Sequence, residues 1–221
     1  MRIVLMGPPG AGKGTQANRL VQKFQMAHLS SGDIFRAEKA SGSLLGRKLA
    51  EYMNAGALVP DETVVQIMAK AIAASSAVGG LLLDGFPRTV SQAAALDEQL
   101  AKANKPLDAV VVMTADDELV VQRITGRRSC TTCGKIYHVT NMPPKIEELC
   151  DDCHVKLLFR EDDKEATIRN RLAAYYRQTE PVIAYYRSRP GVKVVEIDGT
   201  LDVDDVTAVT IQALESLRPS A

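Results

Sequence analysis

The sequence predicts an α/β fold built on a parallel sheet and interrupted by two insertions. Three observations carry that reading. Short apolar runs alternate with helical patterns, the first run ends in a glycine loop leading straight into a helix, and two stretches break the alternation. A chain of 221 residues is long enough for one sizeable core plus a small inserted module.

Arg2 to Met6 is an apolar run halted by Gly7-Pro8-Pro9-Gly10, and a helical pattern follows from about Lys13 to Phe24. Residues 30–59 hold no good strand but two short helical patterns, separated by Ser41-Gly42. Leu81-Leu82-Leu83, ending in Asp84, and Ala109 to Met113 lack polar alternation, as strands buried on both faces do. Ser91 to about Ala103 reads as a helix between them, and the alanine-rich patches at 69–77 and 93–103 suit close-packed helices. A long helix is expected from near Asp163. Ile168, Leu172, Tyr175, Tyr176, Ile183 and Tyr186 recur in it at roughly helical spacing for packing, with a break around Pro181. Val192 to Ile197 is the last strand candidate, closed by Asp198-Gly199 and followed by an amphipathic helix from about Val203 to Leu217. Residues 30–59 and 126–163 are the two insertions, placed where ligand-handling loops sit on such a sheet.

Composition narrows the function classes. Apolar residues form 46% and charged residues 24% of the chain, the balance of a soluble globular protein rather than a disordered one. With 27 basic and 27 acidic side chains there is no broad positive field for nucleic acid or anionic membrane, although a local positive cleft stays open. The opening MRIVLMGPPG has only a short apolar run, short of a signal peptide or a membrane span, so a cytoplasmic location is expected.

The strongest local signal is Gly7 to Thr15, GPPGAGKGT. Glycines let successive backbone N–H groups converge on one anion, and the helix that follows adds its N-terminal dipole. Lys13 is placed to reach bridging phosphate oxygens, and Thr15 to offer a hydroxyl near phosphate or Mg²⁺. Gly14 intervenes where the strict motif has Ser or Thr directly after lysine. Asp84, closing a central strand, is suited to face that loop and orient water on Mg²⁺.

Arginines follow in unusual places: Arg36 in the first insertion, Arg88 beyond the rigid Gly85-Phe86-Pro87 turn, and Arg123, Arg127 and Arg160 near the ends of the second. Arg169 and Arg171 are two apart, so only one of them can point inward. Moving a phosphoryl group onto another phosphate brings two polyanions together, and planar multidentate donors neutralise the repulsion. The arginine supply therefore favours a kinase acting on a phosphorylated acceptor over a GTPase switch. No general base is required, because phosphate oxygens are already nucleophilic. Exclusion of water requires closure, and the two insertions are suitable moving parts.

All four cysteines fall within 24 positions, as Cys130-x2-Cys133 and, after sixteen residues, Cys150-x2-Cys153. In a reducing compartment that spacing reads as one tetrahedral thiolate site, with Zn²⁺ in a structural role. Iron shares the same ligand set. His138 and His154 are left out because the shell is already full. A non-enzymatic zinc ribbon for nucleic acid is the rival reading, opposed by Glu147, Glu148, Asp151 and Asp152 beside the second knuckle.

These motifs together resemble the adenylate kinase family, in its long bacterial form with a metal-bearing lid. The resemblance covers nearly the whole chain: GPPGAGKGTQA at Gly7 to Ala17, LSSGD at Leu29 to Asp33, GALVPDE at Gly56 to Glu62, LLDGFPRT at Leu82 to Thr89, GRR at Gly126 to Arg128 and ATIRNRL at Ala166 to Leu172. It implies a three-layer α/β/α P-loop fold with a central parallel five-stranded sheet and two inserted mobile domains. The core is expected at 1–29, 60–125 and 164–221, a nucleoside-monophosphate insertion at 30–59 and a zinc-stapled lid at 126–163. The implied reaction is ATP plus AMP giving two ADP, with Mg²⁺, by a monomer that binds neither nucleic acid nor membrane. Other nucleoside monophosphate kinases, for UMP/CMP or GMP, are the nearest alternative.

By the same resemblance, ATP phosphates lie on Gly10, Ala11, Gly12, Lys13, Gly14 and Thr15, with Arg123 and Arg127 against the nucleotide and Ile136, Tyr137 and the backbone near Leu201 approaching adenosine. AMP is held by Ser31, Arg36, Ala57-Leu58-Val59, Gly85-Phe86-Pro87-Arg88 and Gln92, with Gln92 reading the adenine edge. Ser31 stands where threonine is more usual. Arg88, Arg127, Arg160 and Arg171 clamp phosphates, Asp33 and Asp84 hold Mg²⁺ through waters, and Asp162 and Asp163 belong to lid closure.

Overall fold

The computed structural model describes residues 1–217; the last four positions of the expected core, 218–221, lie outside the described residues. Strand β1 (Arg2–Met6) leads through the glycine loop into α1 (Lys13–Phe24) and β2 (Ala27–Ser30). The helical pair α2 (Ser31–Ala40) and α3 (Leu44–Ala55) follows, then α4 (Asp61–Ala74), β3 (Leu81–Asp84), α5 (Val90–Lys102), β4 (Ala109–Thr114) and α6 (Asp117–Thr125). Next come a small hairpin, β5 (Arg127–Ser129) and β6 (Ile136–His138), and a 3-10 turn at Glu161–Asp163. Helix α7 (Glu165–Ala174), a π-helical turn at Tyr175–Thr179, α8 (Pro181–Arg187), β7 (Lys193–Asp198) and α9 (Val203–Glu215) complete the chain.

The main sheet is five-stranded and parallel, in the order β2-β3-β1-β4-β7. Alternate residues of the central strands feed two separate cores. Val4, Met6, Leu81, Leu83, Val110 and Val112 pack with residues of α4, α5 and α8 on one face. Ile3, Leu5, Leu82, Ala109, Val111 and Met113 pack with α1 and α9 on the other. Burial on both faces is why these strands read as unbroken apolar runs. No described helix is long and apolar enough to cross a membrane.

Strand β2 is the sheet member that the pattern does not reveal. Ala27-His28-Leu29-Ser30 is short, half polar and at the sheet edge; it becomes a strand by pairing with β3, Ala27 opposite Leu81 and Ser30 opposite Asp84. Helix α6 was likewise not expected from its sequence. The alanine-rich 69–77 stretch is helical only to Ala74, where Ser75 turns extended and its hydroxyl donates to Ile72 O at 2.7 Å. The expected break near Pro181 begins earlier, in the π-helical turn, and Pro181 opens α8 instead. Of the packing tyrosines, Tyr175 and Tyr186 are buried, but Tyr176 is exposed and donates from Oη to Asp117 Oδ1.

The 126–163 segment has its own small core of Cys130, Tyr137, Cys150 and Leu157. So few apolar groups cannot offset the entropy of ordering such a length of chain. The α2–α3 pair meets α7 through backbone: Thr167 Oγ1 donates to Asn54 O at 3.4 Å and Asn170 Nδ2 to Ala55 O at 3.3 Å.

Candidate active site

A cavity of about 700 Å³ lies at the carboxyl ends of the sheet strands, bounded by the glycine loop, the start of α2, the β5–β6 hairpin and the turn at 199–203. This is where open α/β sheets present ligands, since strand ends and helix N-termini converge there. Gly12 caps α1 in a left-handed conformation (φ 91°), a geometry a side chain would strain, and so lets the loop double back ahead of the helix. Lys13 curls over the loop, its Nζ donating to Gly7 O at 2.8 Å and Pro8 O at 2.7 Å. Burial, opposed by Asp84 and reinforced by Arg88, Arg171 and Arg127, lowers its pKa to about 8.

Seven lysine or arginine side chains, but only three aspartates, line this cavity, so a neutral chain folds into a positive cleft. Lys13, Arg36, Arg88, Arg123, Arg127, Arg160 and Arg171 all reach it. Arg88 is set by the turn at 85–87: its Nε donates to Gly85 O at 2.7 Å. Arg123 Nη1 donates to Gly199 O at 2.6 Å. Arg171 Nη1 pairs with Asp162 Oδ2 at 3.2 Å, and Arg127 forms a two-pronged pair with Asp163. Burial first, then crowding by Arg36 and Arg127, brings the pKa of Arg160 down to about 10; burial does the same for Arg171. Burial alone would raise the Asp162 carboxyl, but Arg171, Arg36, Arg127 and Arg160 outweigh it and hold it below its usual range. Such crowding of like charge is relieved when a polyanion enters. Arg169 turns outward to Glu165 and Glu118, leaving Arg171 as the inward member of the pair.

Asp33 and Asp84 both reach the same cavity. Asp33 accepts from Arg36 Nη2 at 2.6 Å, while Asp84 Oδ2 lies 4.0 Å from where a Cβ on Gly14 would stand. Ile136 also closes on the phosphate loop: its Cδ1 is 3.9 Å from that same Gly14 position. Leu201 lines the cavity beside the loop. A second, smaller cavity of about 60 Å³ adjoins, lined by Arg36, Ala57, Leu58, Val59, Gly85, Arg88 and Gln92 among others.

Two expected contacts, Ser31 and Phe86, line neither cavity, while Tyr137 lines the larger one with its ring mostly buried. Tyr137 sits between Ile136 and His138 on β6, and all three line the larger cavity. It is 2% exposed in the segment's own core, its Oη accepting from Asp151 N–H at 2.8 Å. Ser31 is buried and its Oγ donates to Gly85 O at 2.7 Å, so it braces the turn. Phe86 belongs to the core beneath that turn. Sequence reasoning missed two others. His28 lines the larger cavity with Nε2 3.8 Å from Asp84 Oδ2, but as a lone histidine in an unrecognised strand it carried no signal. Asp61, at the start of α4, accepts from Gln92 Nε2 at 2.7 Å and from Thr89 Oγ1 at 2.8 Å. Its signatures were the Pro-Asp-Glu of a helix start and its place in the GALVPDE run, neither of which assigns it a partner.

The four cysteine sulfurs lie within 4.8 Å of one another, and Cys133 Sγ is 3.7 Å from Cys150 Sγ. A tetrahedral shell with metal–sulfur bonds of about 2.3 Å sets sulfurs about 3.8 Å apart, so the cluster suits a metal ion. The two knuckles repeat one design. Cys130 N–H donates to Lys135 O and Gly134 N–H to Cys130 O; Cys150 N–H donates to Val155 O and His154 N–H to Cys150 O. Gly134 (φ 74°) and His154 (φ 55°) therefore occupy equivalent left-handed positions. His138 lies elsewhere, its Nε2 3.2 Å from Gln122 O.

A sequence model of the adenylate kinase family matches residues 5–190. An adenylate kinase of Kosmotoga olearia is 45% identical over 217 residues, spanning 98% of this chain and 100% of its own. That of Acetivibrio thermocellus is 45% identical over 99% of this chain and 100% of its own, and that of Clostridium botulinum 48% over 93% and 94%. Likeness from end to end joins a positive cleft mounted on a phosphate loop: the chain belongs to the adenylate kinase family.

Proposed function

We propose that this protein transfers the terminal phosphoryl group of ATP to AMP, reversibly, giving two molecules of ADP. The observation that carries the reading is the cavity itself: a phosphate loop at one side, seven cations around it, and a smaller adjoining cavity ending at a buried amide, Gln92. ATP phosphates rest on Gly10 to Thr15, with Arg123, Ile136 and Leu201 along the nucleotide. AMP reaches from the larger cavity toward the smaller one, with Arg36 and Arg88, which line both, toward its phosphate and Gln92 toward its base.

A phosphate oxygen of AMP attacks the γ-phosphorus as the bond from that phosphorus to the β–γ bridging oxygen breaks; the β-phosphate leaves with those electrons. Lys13, Arg88, Arg127, Arg160 and Arg171 hold the two phosphate groups in line and offset the negative charge spread over the oxygens. Asp33 and Asp84 offer hard carboxylate oxygens on the cavity wall, the donor type that suits Mg²⁺ bound through water. Bound there with ATP, Mg²⁺ would neutralise β- and γ-phosphate charge. Residues 30–59 and 126–163 act as the monophosphate-binding flap and the lid that exclude water, and the core carries the rest. Zn²⁺ on Cys130, Cys133, Cys150 and Cys153 has a structural role, since four thiolates leave no open position. The protein works as a cytoplasmic monomer on ATP, AMP and ADP.

The test is ADP formation from ATP and each of AMP, GMP, UMP and CMP, run with metal analysis of the purified chain. AMP supporting turnover far above the other three, with one zinc per chain, is the expected result. A preference for another monophosphate would overturn the assignment.

A further inference from the structure

We propose that Asp61 is a positioning residue that fixes the polarity of the Gln92 amide and thereby makes the site select a 6-amino purine over a 6-oxo purine. The proposal rests on the reading above, that Gln92 faces the base of the monophosphate.

A glutamine amide alone cannot make that choice. Rotated by half a turn, it exchanges donor for acceptor at nearly no steric cost, so a free amide reads adenine and its 6-oxo counterpart equally well. Gln92 is not free. Its Oε1 accepts from the backbone N–H of Arg88 at 2.8 Å, and its Nε2 donates to Asp61 Oδ1 at 2.7 Å. The first partner only donates and an ionised carboxylate only accepts, so both enforce one orientation. In the reverse orientation, Nε2 would meet an N–H and Oε1 would meet a carboxylate oxygen. Gln92 is 1% exposed, so no water replaces the lost partners.

Asp61 is itself held. Its Oδ2 accepts from Thr89 Oγ1 at 2.8 Å, and Thr89 caps α5 by accepting from Gln92 N–H at 3.1 Å. The carboxylate, the cap and the amide thus form a closed ring joining the first turns of α4 and α5. One N–H and one lone pair of the Gln92 amide remain. They match an edge that presents an acceptor at N1 and a donor at the 6-amino group, which is adenine. Hypoxanthine presents N1–H and O6, the opposite pattern, and finds donor against donor and acceptor against acceptor.

The experiment compares kcat/KM for AMP and inosine monophosphate with ATP as donor, in the wild type, Asp61→Asn and Gln92→Met. The ratio of the two is independent of the folded fraction, so destabilisation alone leaves it unmoved. For Asp61→Asn the AMP:IMP ratio is expected to fall at least tenfold, carried by a rise in KM for AMP with kcat changed far less. Gln92→Met should lower the ratio as much or more. A ratio that falls in Gln92→Met but stays at the wild-type value in Asp61→Asn would overturn the role of Asp61 and leave base reading by Gln92 standing. A ratio unchanged in both would overturn that reading as well. Should Asp61→Asn fail to fold, Thr89→Val loosens the same carboxylate, with a smaller fall in the ratio expected and no fall overturning the proposal.

Discussion

Arg127 and Asp163 grip each other across the two ends of the cysteine segment, Arg127 Nε donating to Asp163 Oδ2 at 2.9 Å while a second prong reaches Oδ1. Asp163 is fully buried, and Arg171 Nη1 lies 3.8 Å from the same Oδ1. Removing one partner from a buried pair leaves an uncompensated charge, which costs about 3 kcal/mol or more. Asp163→Ala should therefore lower the unfolding free energy by an amount of that order, read as a lower urea midpoint, with residues 126–163 exchanging amide hydrogen faster than the core. An unchanged midpoint would show that the pair contributes nothing net.

The phosphate-loop lysine makes a pH prediction. Lys13 has a folded pKa of about 8, below its ordinary value, because burial disfavours its charge. Above pH 8 the unliganded protein loses this proton, while ATP phosphates favour keeping it. ATP affinity should fall as pH rises through 8, and binding at pH 9 should take up a proton, read by calorimetry in two buffers of different ionisation enthalpy. For stability the sign is opposite. The unfolded chain binds more protons between pH 8 and 10.5, so the contribution of Lys13 to stability is least below 8 and improves through that window. Equal proton uptake by Lys13→Met would sink the assignment.

Arg88 hangs from the turn beside Asp84 and lines both cavities. Losing a charge-compensating donor at a transferring phosphate costs roughly 10²–10³ in turnover. Arg88→Ala should show a loss of that size in kcat, and Arg88→Lys should recover little, because one ammonium does not reproduce the guanidinium fork. A near-normal rate in either variant would mean that this side chain is elsewhere in the reacting complex.

Stripping the metal, or Cys150→Ser, should loosen residues 126–163 while the sheet keeps its structure. The segment's own apolar cluster is small, and both sheet cores lie outside it. New proteolytic cuts confined to that segment, with far-ultraviolet circular dichroism nearly unchanged, are the expected signature. Identical melting and protease resistance with and without metal would refute it.

The two knuckles also differ in a way that can be measured. His154 holds the left-handed position that Gly134 holds in the other, at a cost of about 1 kcal/mol for a side chain there. His154→Gly removes that strain and loses about 0.5 kcal/mol to the freer unfolded chain. The metal-loaded protein should gain a few tenths of a kcal/mol or more, seen as a higher melting temperature. Gly134→Ala should move it down.

Much of this molecule was legible in order along the chain. The glycine loop, four of the five strands of the main sheet, the α2–α3 pair and the paired cysteines are local patterns, set by residue type and short spacing. The edge strand β2 was not legible, because its strand character comes from the ladder with β3, over fifty residues away. Nor was the burial of the Tyr137 ring among Cys130, Cys150 and Leu157, which depends on register in a three-residue hairpin strand.

By itself, the sequence determined the phosphate loop, the metal knuckles and the supply of arginines, since each depends on backbone conformation or side-chain chemistry within a few residues. Tertiary structure alone decided which charges meet. It turned Arg171 inward and Arg169 out, set Arg127 against Asp163, and brought Asp61 to an amide thirty-one positions away. A net charge of zero says nothing about this. Electrostatic energy depends on distance and burial, and only folding supplies either one.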